Sequence, residues 1–263
     1  MRHPEHDRLR EEVRSWYRTS IPELGYHAER RRFGSYRRHA EDPDSALIIV
    51  DDLSPDEVTE FLADAGSYFD NRVVNIWIED KKTDATLGPA LVAAGASKLK
   101  ANVHLAHVGA RVERFQLSGV TIERVSANTL MDYVLVKLKG FANSEDAPPV
   151  EEVEKELAVR QSELASMGRF LIARVDDEPA AILGYYDGRD RLIFSLATRM
   201  PFRMRGVARH ILCQVVAESY DQGCSSVVIN TDPDDTPIKW YQRIGFTDEV
   251  YWRRNYRFSE NKL

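Results

Sequence analysis

Apolar and polar positions alternate along the chain in a way that predicts short strands separated by amphipathic helices. Over the first 20 residues Leu9, Val13 and Trp16 fall on one side of a helix and charges occupy the rest. A polar, arginine-rich connector follows, and then the apolar run Ala46 to Val50 reads as a strand. Ser54-Pro55 supplies a cap and a first-turn proline for a helix whose apolar face is Val58, Phe61, Leu62, Ala65 and Phe69. Val73 to Ile78 is a strand, Thr83 to Ala94 a short helix closed by Gly95, and Lys98 to Val108 a further strand.

The pattern resumes near Val120, where Val120 to Val125 alternates as a strand. Ala127 to Phe141 is helical, and the proline- and acid-rich stretch Asn143 to Glu152 has the composition of a linker. Val153 to Met167 is a helix. Three strands joined by tight turns come next: Phe170 to Val175, Ala180 to Tyr186 and Leu192 to Thr198. Gly206 to Tyr220 is the clearest helix, with Val207, Ile211, Leu212, Val215, Val216 and Tyr220 at three- and four-residue spacing and Gly223 just beyond. Val227-Val228-Ile229 reads as a strand covered on both faces. Asp235 or Thr236 caps a short helix that starts at Pro237 and closes at Gly245, and Phe246 to Phe258 is the last strand.

The two halves echo one another. Each runs strand, amphipathic helix, apolar strand, short helix ending in glycine, final strand, with Gly95 and Gly245 lying 150 residues apart. The expected class is α/β (α+β), with two similar domains at 1–115 and 116–263, a length that suits two modest cores. No run approaches the ~18 apolar residues of a membrane span, and the charged N-terminus argues against a secretory signal, so a cytoplasmic protein with no membrane partner is expected. Cys213 and Cys224 are the only cysteines, which fits reduced core thiols. A net charge of −6 argues against nucleic acid as a partner, and the arginines between Glu29 and His39 are expected on a solvated surface. His104 and His107 would point to opposite faces of a strand, with no carboxylate or cysteine at ligand spacing, so no metal site is expected.

Chemistry concentrates in Leu196 to Ala208, where a strand ends, a loop with three arginines follows, and a helix begins at Gly206. The first turn of that helix leaves backbone N–H groups without intrahelical partners, and with the positive dipole end they suit a pyrophosphate. Neither a Walker loop nor a GxGxxG fingerprint is present. A second segment, Asp234 to Phe246, places Tyr241 one turn into a short helix between Ile238 and Ile244.

Together these segments resemble the GNAT superfamily of acyl-CoA N-acyltransferases. Arg203-Met204-Arg205-Gly206-Val207-Ala208 fits its Arg/Gln-x-x-Gly-x-Gly/Ala loop, and Tyr241-Gln242-Arg243-Ile244-Gly245-Phe246 fits its Tyr-x-x-x-Gly-Phe signature. The resemblance spans roughly Val120 to Phe258. It implies two GNAT-like domains, each a mixed, mostly antiparallel sheet flanked by helices. It also implies acetyl-CoA as cosubstrate, with Leu196, Ala197 and Thr198 offering backbone groups to the pantetheine arm and thioester. Arg203, Met204, Arg205, Gly206, Val207 and Ala208 would wrap the pyrophosphate, Asn230 would bond the pantetheine, and Tyr241 would protonate the departing thiolate. The acceptor would be a small-molecule or peptide amine; Tyr185, Tyr186, Trp252 and Tyr256 are candidate contacts. Two departures stand out: Asp234 replaces a frequent Asn, and Arg191 to Thr198 carries no carboxylate. Ser195 is the only polar candidate facing a possible site there, and no base is assigned.

The N-terminal copy has Leu91 at the place of Tyr241 and Asp51-Asp52-Leu53-Ser54-Pro55 in place of the basic loop. Its carboxylates would repel a pyrophosphate. It resembles the degenerate half of tandem GNAT proteins, a scaffold rather than a second catalytic site. The alternative function is a non-catalytic acyl-CoA sensor or interaction module.

Overall fold

The computed structural model describes residues 4–20, 26–39, 46–108, 114–165, 168–234 and 237–260. Seven α-helices are seen among them: α1 (Pro4–Ser15), α2 (Val58–Phe69), α3 (Lys81–Ala93), α4 (Leu130–Ala142), α5 (Val150–Ala165), α6 (Val207–Asp221) and α7 (Pro237–Arg243). The strands are β1 (Tyr26–Arg31), β2 (Gly34–His39), β3 (Leu47–Val50), β4 (Val74–Ile78), β5 (Ser97–Val108) and β6 (Val120–Arg124), followed by β7 (Gly168–Val175), β8 (Glu178–Tyr186), β9 (Arg191–Thr198), β10 (Ser226–Thr231) and β11 (Asp248–Phe258).

The chain forms two compact units that are not contiguous in sequence. The first comprises residues 1–104, 231–238 and 249–263; the second comprises 105–230 and 239–248. The sequence pattern puts its division between 115 and 116, whereas 105–115 fall in the second unit and the last strand falls in the first.

In the first unit the strand order is β1-β2-β3-β4-β11-β5. β3 and β4 run parallel, with Leu47 beside Asn75 and Ile49 beside Trp77, and β11 is antiparallel to β4. β3 is buried at every position, as a strand covered on both faces should be, while β4 alternates between buried and half-buried residues. Phe61, Ala65 and Phe69 of α2 and Leu87 and Leu91 of α3 meet Ile48, Ile76, Tyr256 and Phe258 in one core. The arginine-rich stretch expected as a connector is the antiparallel hairpin β1–β2. Arg31 pairs with Asp64 at 2.6 Å, Arg32 with Glu57 at 2.7 Å, and Arg37 is buried, donating to the carbonyls of Tyr17 and Arg18. These side chains are spent on the unit's own carboxylates and carbonyls. At the start of α2 the backbone N–H of Ser54 donates to Glu57 at 3.1 Å, and Pro55 opens a single 3₁₀ turn ahead of the helix.

In the second unit the order is β10-β9-β8-β7-β6, and residues 105–108 of β5 belong with it. β9 and β10 are parallel; the other recorded pairings are antiparallel. Leu130, Tyr133 and Val136 of α4 pack on Phe170, Ile172, Ile182 and Ala197. The stretch expected as a linker lies inside this unit: Glu145 accepts from Arg199 at 2.6 Å and from the backbone N–H of Met200 at 3.1 Å, and α5 already begins at Val150. Residues 235 and 236, expected as the cap of α7, and Met167 lie outside the described residues.

Candidate functional site

In the second unit the strands β9 and β10 stay paired only from Arg191↔Val227 to Ile193↔Ile229. Beyond that point the two strands share no further pairs, although β9 continues to Thr198 and β10 past Asn230. Backbone N–H and C=O groups on the open side of β9 are therefore available to an extended ligand that carries amides. Leu196, Ala197 and Thr198 occupy this open stretch, and Asn230 stands just past the last pair.

The loop after β9 is shaped at its backbone. A 3₁₀ turn, Met200–Phe202, leads to Arg203, then to Met204 at φ 58° and Gly206 at φ 83°, and α6 begins at Val207. Left-handed backbone costs an ordinary residue roughly 1–2 kcal/mol, which is why glycine suits position 206. Among the described residues, no main-chain acceptor takes the N–H groups of Met204, Arg205 or Gly206. With the first turn of the 15-residue α6 they gather backbone N–H groups in the arrangement that suits an anion. Met204 and Arg205 are exposed, and Val207 is buried as the first anchor of α6.

Three arginines at this loop, Arg203, Arg205 and Arg209 of α6, divide their work. Arg203 donates to the carbonyl of Thr198 at 3.0 Å and to that of Gly140 at 2.7 Å, tying the loop to the end of β9 and to α4. Arg205 lies 5.6 Å over the ring of Phe202, and Arg209 lies 4.6 Å over the ring of Phe115. The Arg203 guanidinium is therefore structural, and the positive charge left at the loop comes from its neighbours.

Tyr241 is buried on α7, with its ring 5.0 Å from Trp240 and 6.3 Å from Phe246. The N–H groups of Ile244 and Phe246 return to its carbonyl, closing the helix at Gly245. Asp234, at the place of the frequent Asn, donates its N–H to Asp232 at 2.9 Å. The proposed acceptor contacts are packed residues. Tyr186 donates to Glu163 at 2.7 Å and Tyr256 to Asp84 at 2.6 Å; Tyr185 lies under Arg191, and Trp252 is buried. Burial pushes both thiols above their usual range; Cys213 is a buried core thiol as expected, whereas Cys224 is only half-buried.

Pattern reading missed a buried polar cluster beneath α4 and α5. Arg160 pairs with Glu156 at 2.5 Å and with Glu163, and Lys137 also reaches Glu156. Burial raises the Glu163 carboxyl and lowers the Lys137 ammonium, against the pull of their partners. Arg160 also lies 5.6 Å from the centre of the Phe194 ring. The only sequence signal was an unusual density of charge on α5, which reads equally well as a solvated face.

The corresponding place in the first unit is filled by the chain itself. Asp51 follows β3 and Glu79 follows β4, the tips of its two parallel strands. Arg18 bridges them at 2.6 and 2.5 Å, Arg14 adds a 2.9 Å contact to Glu79, and Tyr251 donates to Glu79 at 2.6 Å. A charged cleft of about 410 Å³ in this unit, between His6, Arg10, Asp80, Lys82 and Glu249, contains none of the motif residues. Among the described residues, no three His, Cys, Asp or Glu side chains gather as a metal site, and no helix is long and apolar enough to cross a membrane.

Residues 138–246 match the acetyltransferase (GNAT) family. That stretch of the chain is similar to a GNAT domain. Solved structures repeat the fold over nearly the whole chain. A functionally unknown conserved protein from Staphylococcus epidermidis matches with TM-score 0.73 at 14% identity, covering 90% of this chain and 95% of its own. A GCN5-related N-acetyltransferase from Kribbella flavida matches with TM-score 0.62 at 14% identity, over 98% and 97%. A tandem GNAT protein from the clavulanic acid biosynthesis pathway matches with TM-score 0.60 at 9% identity, over 86% and 78%. Two GNAT-like units, each built on a mixed, mostly antiparallel sheet with flanking helices, are thus present. The family match supports acyl-CoA-dependent acetyl transfer as the general activity.

Proposed function

We propose that the second unit is an N-acetyltransferase that moves an acetyl group from acetyl-CoA to a primary amine by direct attack in a ternary complex. The observation that carries this reading is the parting of β9 from β10 after Ile193, directly ahead of the loop with two left-handed residues that opens α6. These features fit the cosubstrate at both ends. Leu196 and Ala197, together with Thr198, whose carbonyl already accepts from Arg203, offer the open edge of β9 to the amides of the pantetheine arm, with Asn230 opposite. The backbone of Arg203, Met204, Arg205, Gly206, Val207 and Ala208 receives the pyrophosphate, and Arg205 adds charge.

Acetyl-CoA supplies an activated acyl group, and the protein orients it while excluding water. The Tyr241 hydroxyl holds the proton needed by the leaving thiolate, a role worth roughly 10²–10⁴ in rate. The partner is then a small-molecule or peptide amine, in a cytoplasmic protein that engages neither nucleic acid nor membrane. A non-catalytic acyl-CoA sensor is the competing reading, favoured by the lack of a carboxylate on β9.

Calorimetric titration with acetyl-CoA tests the site. Micromolar binding that is abolished by Gly206→Glu, in a variant that still melts cooperatively, supports it. Absence of binding to the native chain would remove it. Tyr241→Phe separates enzyme from sensor: the enzyme loses amine-dependent thiol release while keeping cosubstrate affinity, whereas a sensor has no such turnover to lose.

A further inference from the structure

The first unit holds a cleft of about 410 Å³ that none of the acetyl-transfer motifs lines. Three pieces of the chain enclose it: the first turns of α1, the turn from β4 into α3, and the start of β11. Val250, Tyr251 and Trp252 of β11 are all buried and give the cleft an apolar wall. Its size falls within the range of small-molecule sites, roughly 300–1,000 Å³. The polar side chains around it carry both signs, and the chemistry of an occupant follows from which of them already have a task.

The four acids do. Glu79 takes Arg14, Arg18 and Tyr251. Asp80 caps α3, its carboxylate accepting from the Thr83 N–H at 2.8 Å. Glu249 pairs with Lys81 at 2.6 Å. Asp7 lies in the first turn of α1, where a carboxylate complements the positive end of the helix. Two cations are left over. Among the described residues, no carboxylate lies within ion-pair distance of the Arg10 guanidinium or the Lys82 ammonium, and Asp80 acts on Arg10 only from further away. Lys82 also stands against the dipole, because it is the second residue of α3 and cations are disfavoured at a helix N-terminus. A lysine there weakens α3 slightly and gains no partner within the chain.

We propose that this cleft binds a small organic anion, an oxyanion carried on an apolar body, with Arg10 and Lys82 holding the charged group and the β11 wall receiving the body. The planar fork of Arg10 suits a carboxylate and a phosphate ester equally. An ammonium ligand is disfavoured, since each carboxylate around the cleft is engaged. A bare inorganic ion would leave the apolar wall unused. The inference is independent of the acetyl-transfer reading.

Titration of the full chain with phenyl phosphate, benzoate and benzylamine, followed by calorimetry and by backbone-amide NMR, tests it. The expected result is saturable binding of an anion with millimolar or tighter affinity, weakening as salt is raised, and no binding of benzylamine. Amide shifts should centre on Val250, Tyr251 and Trp252. Preference for phenyl phosphate identifies a phosphate ester as the natural class, and preference for benzoate a carboxylate. Arg10→Gln and Lys82→Gln should each weaken the anion about tenfold, the loss of a charge-assisted hydrogen bond. Glutamine is a good helix former, so both variants should melt close to native. Gly206→Glu, which blocks the loop ahead of α6, should leave this binding intact. Anion binding lost in Gly206→Glu but kept in the Arg10 and Lys82 variants would place the anion at that loop and overturn the proposal. So would a lack of saturation by either anion up to about 20 mM, a span that covers the affinity of a fragment, or benzylamine binding as tightly as the anions.

Discussion

Gly206 and Gly184 show two separate reasons for a glycine. At Gly206 an added Cβ would meet Phe115 at 3.4 Å, a tight but yielding side-chain contact, so the penalty of Gly206→Ala lies mainly in its φ of 83°. A loss of about 1–2 kcal/mol is expected, read as a drop of a few degrees in Tm. At Gly184 the added carbon would collide with the Tyr133 hydroxyl and the Phe194 ring. Gly184→Ala should cost about 1–3 kcal/mol by overpacking; pairing it with Tyr133→Phe should recover part of that loss. Thermal melts of the two single variants and the pair decide this. Gly206 was legible in the sequence because its neighbours formed a spaced pattern with Tyr241. Gly184 was not, because a strand glycine marks a bulge or a close approach without saying what approaches. Ser195 could be picked out as the polar residue within β9 that faces a possible site, but its neighbour Tyr133 is 62 positions away on a helix and no local pattern joins them.

At the scale of elements, periodicity located the helices and strands that bury one face, from α2 through α6. It failed on β1 and β2, whose residues are mainly charged and whose register depends on distant carboxylates such as Asp64 and Glu57 rather than on an apolar face. The same kind of long-range pairing fixes α1. Glu79, 5% exposed, takes Arg14, Arg18 and Tyr251 together. Removing it takes the buried partner from Arg14 and from Tyr251 and leaves Arg18 on Asp51 alone, so Glu79→Ala should cost about 3 kcal/mol, the low end of the range for breaking a buried pair from one side. Denaturant unfolding would measure the loss, and a change under 1 kcal/mol would mean water reaches the arginines. On β5, His104 is wholly buried beside the Tyr17 hydroxyl at 2.9 Å, and burial, aided by Arg253, holds its pKa well below 6.5. The unfolded chain then binds a proton below pH 6.5 that the folded chain refuses. The stability from this site is complete above that pH and drains away as pH falls. His107 and His210 shift in the same direction through burial. Tm should decline between pH 7 and 5, before the carboxylates titrate, and His104→Gln should flatten part of that decline. A Tm constant over this window would show that the imidazoles protonate without resistance in the folded chain.

For the molecule as a whole, sequence repetition correctly announced two GNAT-like units but could not tell which strand ends up in which. A hydrophobic pattern states that a strand is buried and is silent about its neighbour. β11 is the case in point: it follows α7 of the second unit, yet Arg254 to Phe258 pair antiparallel with Ile78 to Val74, and Tyr256 and Phe258 lie in the core of the first unit. A fragment cut at the boundary the sequence pattern suggests, residues 116–263, would carry β11 without β4 and lack residues 105–108 altogether. Two fully buried aromatic side chains, Tyr256 and Phe258, would be set in water, at roughly 1.5–3 kcal/mol each. That is a large share of the 5–15 kcal/mol by which a domain is usually stable. The complementary fragment 1–115 would lose the same strand from beside β4. Neither piece should fold cooperatively alone, whereas mixing the two should restore a sharp melting transition if β11 can find its place between chains. Near-ultraviolet circular dichroism of each fragment and of the mixture would read this directly. A native-like, cooperatively melting 116–263 would mean that β11 contributes little to holding the second half together, and that the boundary seen in the sequence is also the boundary of folding.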